Sequence, residues 1–142
     1  VLLNLFGPVR SVTGITAKIV FVREVEDTAV ATVCFEQGPC ATVTVTHAAA
    51  EAQDTLDLFG TEGSIHIMKL NAGVMRITTA AGAREEAHPP AANLHAPPVE
   101  DFVHAVSTGC EPSVTGEIGR TVAALEDAIY SRRWALELPG VR

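Results

Sequence analysis

The sequence predicts an α+β fold: an antiparallel-rich, six-stranded sheet with helices packed on one face and the other face open for oligomerisation. Three observations predict it. Runs rich in Val, Ile and Thr fill the first half, tight turns containing Gly, Pro or Asn separate them, and two stretches of helical period close the chain. At 142 residues there is room for one core and not for two ordinary domains. With 47% hydrophobic and 19% charged residues, the chain is too apolar to remain disordered. No uninterrupted apolar run approaches the roughly 20 residues of a membrane span. The net charge is -7 and Lys18 and Lys69 are the only lysines, so the clustered positive charge that a nucleic-acid surface needs is missing.

The opening "VLLNLFGPVR" is apolar for about six residues and has neither a basic lead nor a small-residue cleavage site, so it does not read as a signal peptide. It reads as the last turns of a helix whose beginning precedes residue 1. Gly7 caps that helix and Pro8 cannot continue it. From Val9 to Arg23 the composition predicts one long strand, with Gly14 as its bulge. "EDTAVATVCFEQGPCATVTVTHA" predicts a hairpin of Thr28 to Glu36 and Cys40 to His47 around a turn at Gln37, Gly38 and Pro39. In its second arm Thr42, Thr44 and Thr46 alternate with Val43 and Val45, giving one threonine-lined face.

After an Ala-rich loop, "QDTLDLFGTEGSIHIM" sets Leu56 and Leu58 opposite Thr55 and Asp57, turns at Gly60 to Gly63, and runs on through Ile65 and Ile67. A turn at Asn71 to Gly73 precedes the last strand, "VMRITT". The segment from Ala80 to Ala96 is small, polar and proline-containing without a period, and is expected to be an exposed loop. In "PPVEDFVHAVSTG" the residues Val99, Phe102, Val103 and Val106 form a helical apolar stripe, and Gly109 ends the helix. In "EPSVTGEIGRTVAALEDAIYSRR" Thr115 is the N-cap, and Ile118, Val122, Leu125 and Ile129 trace a second stripe. Arg132 and Arg133 complement its negative end, and "WALEL" returns as a short strand.

The three cysteines, Cys34, Cys40 and Cys110, form no CxxC and leave one unpaired in any disulfide scheme. Reduced thiols in a cytoplasmic protein are the simplest reading, with Cys34 as a small core hydrophobe. The five histidines lack metal-ligand spacing, and no metal is expected.

In their order, "EDTAVATVCFEQG", "DTLDLFGTEGSI" and "PPVEDFVHAVSTGCEPSVTGEIGRTVAALEDAIYSRR" resemble the C-terminal domain of the Gfo/Idh/MocA oxidoreductases, the glucose-fructose oxidoreductase and inositol dehydrogenase group. The resemblance implies that residues 1–142 are the substrate-binding and oligomerisation domain of a two-domain enzyme. The parent would hold NAD or NADP in an N-terminal Rossmann domain absent from this chain, and act by hydride transfer on a sugar, polyol or related hydroxylated small molecule. There is no GxGxxG after a strand and no Glu-Lys-Pro triplet carrying the family's usual lysine, so no catalytic or cofactor-binding residue is expected in this chain. Alone it should be inactive and bind no cofactor. The resemblance also places His47, at the end of the threonine-faced strand, near the substrate cleft, where an ordinary strand-end histidine is the alternative. Tyr130, the only tyrosine, is the second candidate substrate contact, with helix anchoring as its alternative. The implied partner is a second copy of the chain, joined through the open sheet face. A non-enzymatic dimerisation or ligand-binding module is the rival reading.

Overall fold

The computed structural model describes residues 1–131, in two compact units: residues 1–50 with the segment from Val114 onward, and Glu51–Ser113. The expected arms Arg132 and Arg133 and the strand "WALEL" lie outside the described residues. Two antiparallel sheets replace the single six-stranded sheet expected. One is three-stranded in the order β1(Val9–Ala17), β2(Thr28–Phe35), β3(Cys40–Thr46). The other is four-stranded in the order β4(Leu56–Gly60), β5(Gly63–Ile67), β6(Val74–Thr79), β7(Gly82–Ala87). Among the described residues no ladder joins β3 to β4.

In the first unit the short helix α1(Leu2–Phe6) ends at Gly7, whose φ of 73° no β-carbon disturbs and whose N–H is donated to the Leu3 carbonyl at 2.9 Å. The hairpin of β2 and β3 follows the expected register. Phe35 N–H donates to the Pro39 carbonyl at 2.9 Å across the turn, and Cys34 faces Cys40 as the next pair. These two cysteines are joined as a disulfide, which corrects the expectation of reduced thiols; Cys110 is free and exposed. Sequence spacing hid the bond because only the register of the hairpin sets the two side chains on one face. Their Cα atoms are 4.2 Å apart, within the closer class of cross-strand pair.

The core of this unit is Val12, Val33 and the fully buried Phe35. Leu2, Leu3 and Phe6 of α1 pack on it, Phe6 at 5.2 Å between ring centroids, together with Leu125, Ala128 and Ile129 of α3(Gly116–Ser131). Thr115 caps α3 as expected, its hydroxyl accepting from Ile118 N–H. Only the later half of the expected stripe is used: Leu125 and Ile129 reach the core while Ile118 and Val122 stay exposed.

The bulge lies between Val9 and Ser11 rather than at Gly14, which pairs regularly with Ala31. What Gly14 provides is room. A β-carbon there would stand 2.6 Å from Ile129 Cγ2, closer than real atoms approach. Its bare backbone therefore lets α3 lie close to β1. The opposite face carries Thr13, Ile15, Val30, Thr32, Thr42 and Thr44, all exposed.

In the second unit β4 pairs with β5 around the expected Gly60 to Gly63 turn, and β5 with β6. Leu56, Leu58, Ile65, Ile67, Met75 and Ile77 share one half-buried face. Residues Gly82–Ala87, expected inside an exposed loop, instead form β7, an exposed edge strand joined to β6 by a two-residue turn with Gly82 at φ 126°. A charged "GAREEA" lacks strand composition, yet backbone pairing needs no apolar side chain, and charge suits an edge. Arg84 donates to Glu86 at 2.8 Å, and this contact first, His88 second, holds the Glu86 carboxyl below its ordinary value. Helix α2(Ala96–Thr108) ends as expected at Gly109, whose φ is 74°. Its expected sheet-facing stripe is not buried, however: Val99, Phe102, Val103 and Val106 are exposed and only Ala105 is enclosed.

Replacing Gly14 by Val should destabilise the chain by about 1 to 3 kcal/mol, the usual cost of overpacking. Chemical denaturation of Gly14→Val, Ile129→Ala and the double variant checks it. The two losses should not add, because the second substitution removes the atom that the first one strikes.

Candidate functional site

The strongest concentration of polar contacts in the first unit lies at one end of its sheet, where β1 leaves, β2 enters and β3 stops. The segment from Lys18 to Asp27 is expected as strand up to Arg23 but is an irregular loop from Lys18 onward. Its geometry is set by Asp27, which is buried at 5% exposure. One carboxylate receives three consecutive amides, from Ile19 at 3.0 Å, Val20 at 2.8 Å and Phe21 at 2.9 Å. Such a run of N–H groups converging on an anion is a nest, here filled by the protein's own side chain.

The main chain of Asp27 adds two further ties. Its N–H donates to the Ala17 carbonyl at 3.1 Å, and its carbonyl accepts from His47 N–H at 2.8 Å. Asp27 thereby links the ends of all three strands. The hydroxyl of Thr28 donates to the carboxylate at 3.0 Å and lies 2.9 Å from the Thr46 hydroxyl, which accepts from Ala48 N–H at 3.0 Å. With its own hydrogen committed to Asp27, Thr28 accepts from Thr46. The amides of Phe21 and Val20, then that of Ile19 and the Thr28 hydroxyl, hold the Asp27 carboxyl far below the usual carboxylate range, against a partial desolvation that acts the other way.

Both candidate residues meet this loop. His47 is tied to Asp27 through its backbone while its side chain is exposed, and the Tyr130 hydroxyl donates to the Glu26 carboxylate. Tyr130 thus anchors the end of α3 to the loop, over 104 residues of sequence separation. Glu26 and Asp27 were missed as site residues: "ED" reads as a polar lead into a strand, and nothing in its spacing names Tyr130 or three distant amides as partners. Ile19, Val20, Phe21, Val22 and Val25 are exposed on the same loop, with the Arg23 guanidinium 5.1 Å over the Phe21 ring. The loop therefore carries a carboxylate–phenol pair, Glu26 with Tyr130, beside exposed apolar side chains, and the His47 backbone is tied to its base. Among the described residues, no three His, Cys, Asp or Glu side chains are grouped to hold a metal ion, and no helix is long and apolar enough to cross a membrane.

Residues 1–66 match the family described as the GFO/IDH/MocA C-terminal domain. An oxidoreductase from Agrobacterium radiobacter, solved with NAD+, L-tartaric acid and magnesium, shares the fold at a TM-score of 0.77 and 20% identity, over 92% of this chain and 43% of that one. The UDP-N-acetylglucosamine 3-dehydrogenase of Acidithiobacillus ferrooxidans does so at 0.73 and 21%, over 92% and 44%. The WlbA dehydrogenase of Bordetella pertussis, solved with NADH and UDP-GlcNAcA, is 26% identical at a TM-score of 0.69, over 92% and 38%. No curated protein sequence matches the chain. Residues 1–66 are thus similar to the GFO/IDH/MocA C-terminal domain, and the fold of nearly the whole chain recurs in these solved structures, in line with the motif order. The chain spans less than half the length of each of these solved structures.

Replacing Asp27 by Asn should lower the thermal midpoint and remove most of its acid sensitivity. Because the folded carboxyl lies below its ordinary value of 3.8, the stability it contributes is complete above that value and is lost progressively as pH falls beneath it. Melting curves between about pH 7 and pH 2 should therefore show a steeper acid decline for the parent than for Asp27→Asn. Parallel curves would contradict this role.

Proposed function

We propose that this chain is the substrate-binding and oligomerisation domain of an NAD(P)-dependent oxidoreductase acting on a sugar, polyol or related hydroxylated compound. The observation that carries the reading is the fastening of Tyr130 to Glu26 and of the His47 backbone to Asp27 at one loop, in a chain whose first 66 residues match the family. Two solved relatives of the same fold are dehydrogenases whose names or bound molecules are UDP-sugars, which supports the substrate class. In the whole enzyme hydride passes between a substrate carbinol carbon and the nicotinamide, and this domain orients the hydroxyl groups. His47 and Tyr130 are binding residues in that scheme; the groups that move the proton belong to the other domain. No glycine-rich turn in this sequence opens a helix toward a pyrophosphate, so the chain by itself should leave NADH and NADPH unbound.

The exposed threonine-rich face of β1, β2 and β3 is the surface through which two copies associate. Its Ile15, Val30, Thr32, Thr42 and Thr44 lie in register across three strands and remain exposed while α1 and α3 cover the other side. A runner-up assignment, a dimerisation module without catalysis, shares this face and differs only in the ligand.

Two measurements test the reading. In an enzyme that carries this domain joined to its nicotinamide-binding half, His47→Ala should raise KM roughly tenfold with kcat within about twofold, a loss of about 1.4 kcal/mol in binding; unchanged KM would remove His47 from the site. Light scattering of the parent chain beside Thr44→Glu and Val30→Glu should show a dimer at tens of micromolar, roughly where weak interfaces populate, that each charge dissociates. A monomeric parent overturns the face assignment.

A further inference from the structure

The other sheet holds a side-chain constellation that the oxidoreductase reading does not use. On the polar face of β4 and β5, the Asp57 carboxylate lies 2.7 Å from His66 Nδ1, and His66 Nε2 lies 2.9 Å from Ser64 Oγ. A carboxylate only accepts, so Nδ1 carries the proton, and in the neutral ring Nε2 is the acceptor for the Ser64 hydroxyl. The resulting order, carboxylate to imidazole to serine, is the hydrogen-bond chain that makes a serine nucleophilic, and it is recognised by geometry rather than by chain order.

The sheet register builds this chain and surrounds it. Asp57 pairs with His66, and His66 with Arg76 on β6, which forms no ion pair among the described residues. Ser64 pairs with Phe59 on one side and Thr78 on the other. These residues therefore share one face. Phe59 is 79% exposed and stands edge-on to the imidazole at 5.5 Å, holding the ring while offering an aromatic platform beside the serine. On β6 the register sets Thr78 beside Ser64 and Arg76 beside His66, so the same face also carries a hydroxyl and a cation. His66 and Asp57 are part-exposed, at 34% and 48% of their side chains, so the site is matched to a small ester that carries a good leaving group of its own.

We propose that Ser64, primed by His66 and Asp57, is a nucleophile for acyl transfer from small activated aryl esters. In the first step the Ser64 Oγ to acyl-carbon bond forms, the bond from that carbon to the aryl oxygen breaks, and the Oγ proton passes through His66 Nε2 to the departing phenolate. In the second step water adds to the acyl carbon, its proton is taken by His66 and returned to Ser64 Oγ, and the carboxylic acid leaves. The sum is ester plus water to acid plus phenol, with no oxidant or reductant. This activity is independent of the oxidoreductase reading and stands or falls separately from it.

The test uses the whole chain, p-nitrophenyl acetate as substrate, and a fluorophosphonate as a stable label. In the labelling reaction Oγ bonds to phosphorus, fluoride leaves and His66 takes the proton. The parent should release p-nitrophenolate on the order of a hundredfold faster than Ser64→Ala, the range of general-base assistance, and peptide mass mapping should place the label on Ser64. Asp57→Asn and His66→Gln, each confirmed as folded by circular dichroism, should keep Ser64 but label it at least tenfold more slowly, roughly the lower bound of losing such assistance. A parent no faster than Ser64→Ala, or a Ser64 that labels equally fast in His66→Gln, overturns the proposal.

Discussion

The buried carboxylate of Asp27 is the interaction on which the candidate site depends. A buried charge is tolerated only where enough donors replace its water, and here three successive amides and a hydroxyl do so. Satisfying that charge folds the segment from Ile19 to Phe21 around it, which in turn places Glu26 where Tyr130 can reach. The same residue's main chain binds the ends of β1 and β3. One side chain thus converts three strand ends into a shaped loop, and α3 is fastened to that loop at Tyr130 while its Leu125, Ala128 and Ile129 grip the core.

Close packing makes that fastening possible. Gly14 removes the β-carbon that would meet Ile129, so α3 settles near enough to β1 for its last turn to arrive at Glu26. Packing at Gly14 and polar contact at Glu26 act on one helix from two points, as expected of a site carried on rigid elements and finished by a loop. The opposite face of this sheet stays exposed: its threonines satisfy their hydroxyls in water while their methyl groups remain apolar, a composition suited to either exposure or cover.

Much of the fold was legible because local chemistry specified it. The hairpin around Gln37, Gly38 and Pro39, the turns at Gly60 to Gly63 and Asn71 to Gly73, and both helices with their Gly109 and Thr115 boundaries rest on residues that act within a few positions of themselves. Illegible were features decided by distant partners. Strand composition does not say which strands share a ladder, so two sheets read as one. β7 is stabilised by backbone pairing to β6 and not by its charged side chains. Gly14 resembled a bulge because its true partner, Ile129, lies on a helix far along the chain. At the candidate site, His47 and Tyr130 are named only through the resemblance, as a strand-end histidine and a lone tyrosine, and the structure ties both to the Asp27 loop; the contacts of Glu26 and Asp27, whose partners are amides and a remote hydroxyl, were not legible.

The central claim is that Asp27 remains ionised inside a nest of backbone amides and so shapes the loop between β1 and β2. Its most direct test is the carbon-13 resonance of the Asp27 carboxyl followed by NMR through an acid titration, together with the amide resonances of Ile19, Val20 and Phe21. The account predicts a carboxyl that stays ionised well below its ordinary value of 3.8, with the three amides shifting together only when it finally protonates or the chain unfolds. A carboxyl titrating at its ordinary value, with the three amides indifferent to it, would contradict the account.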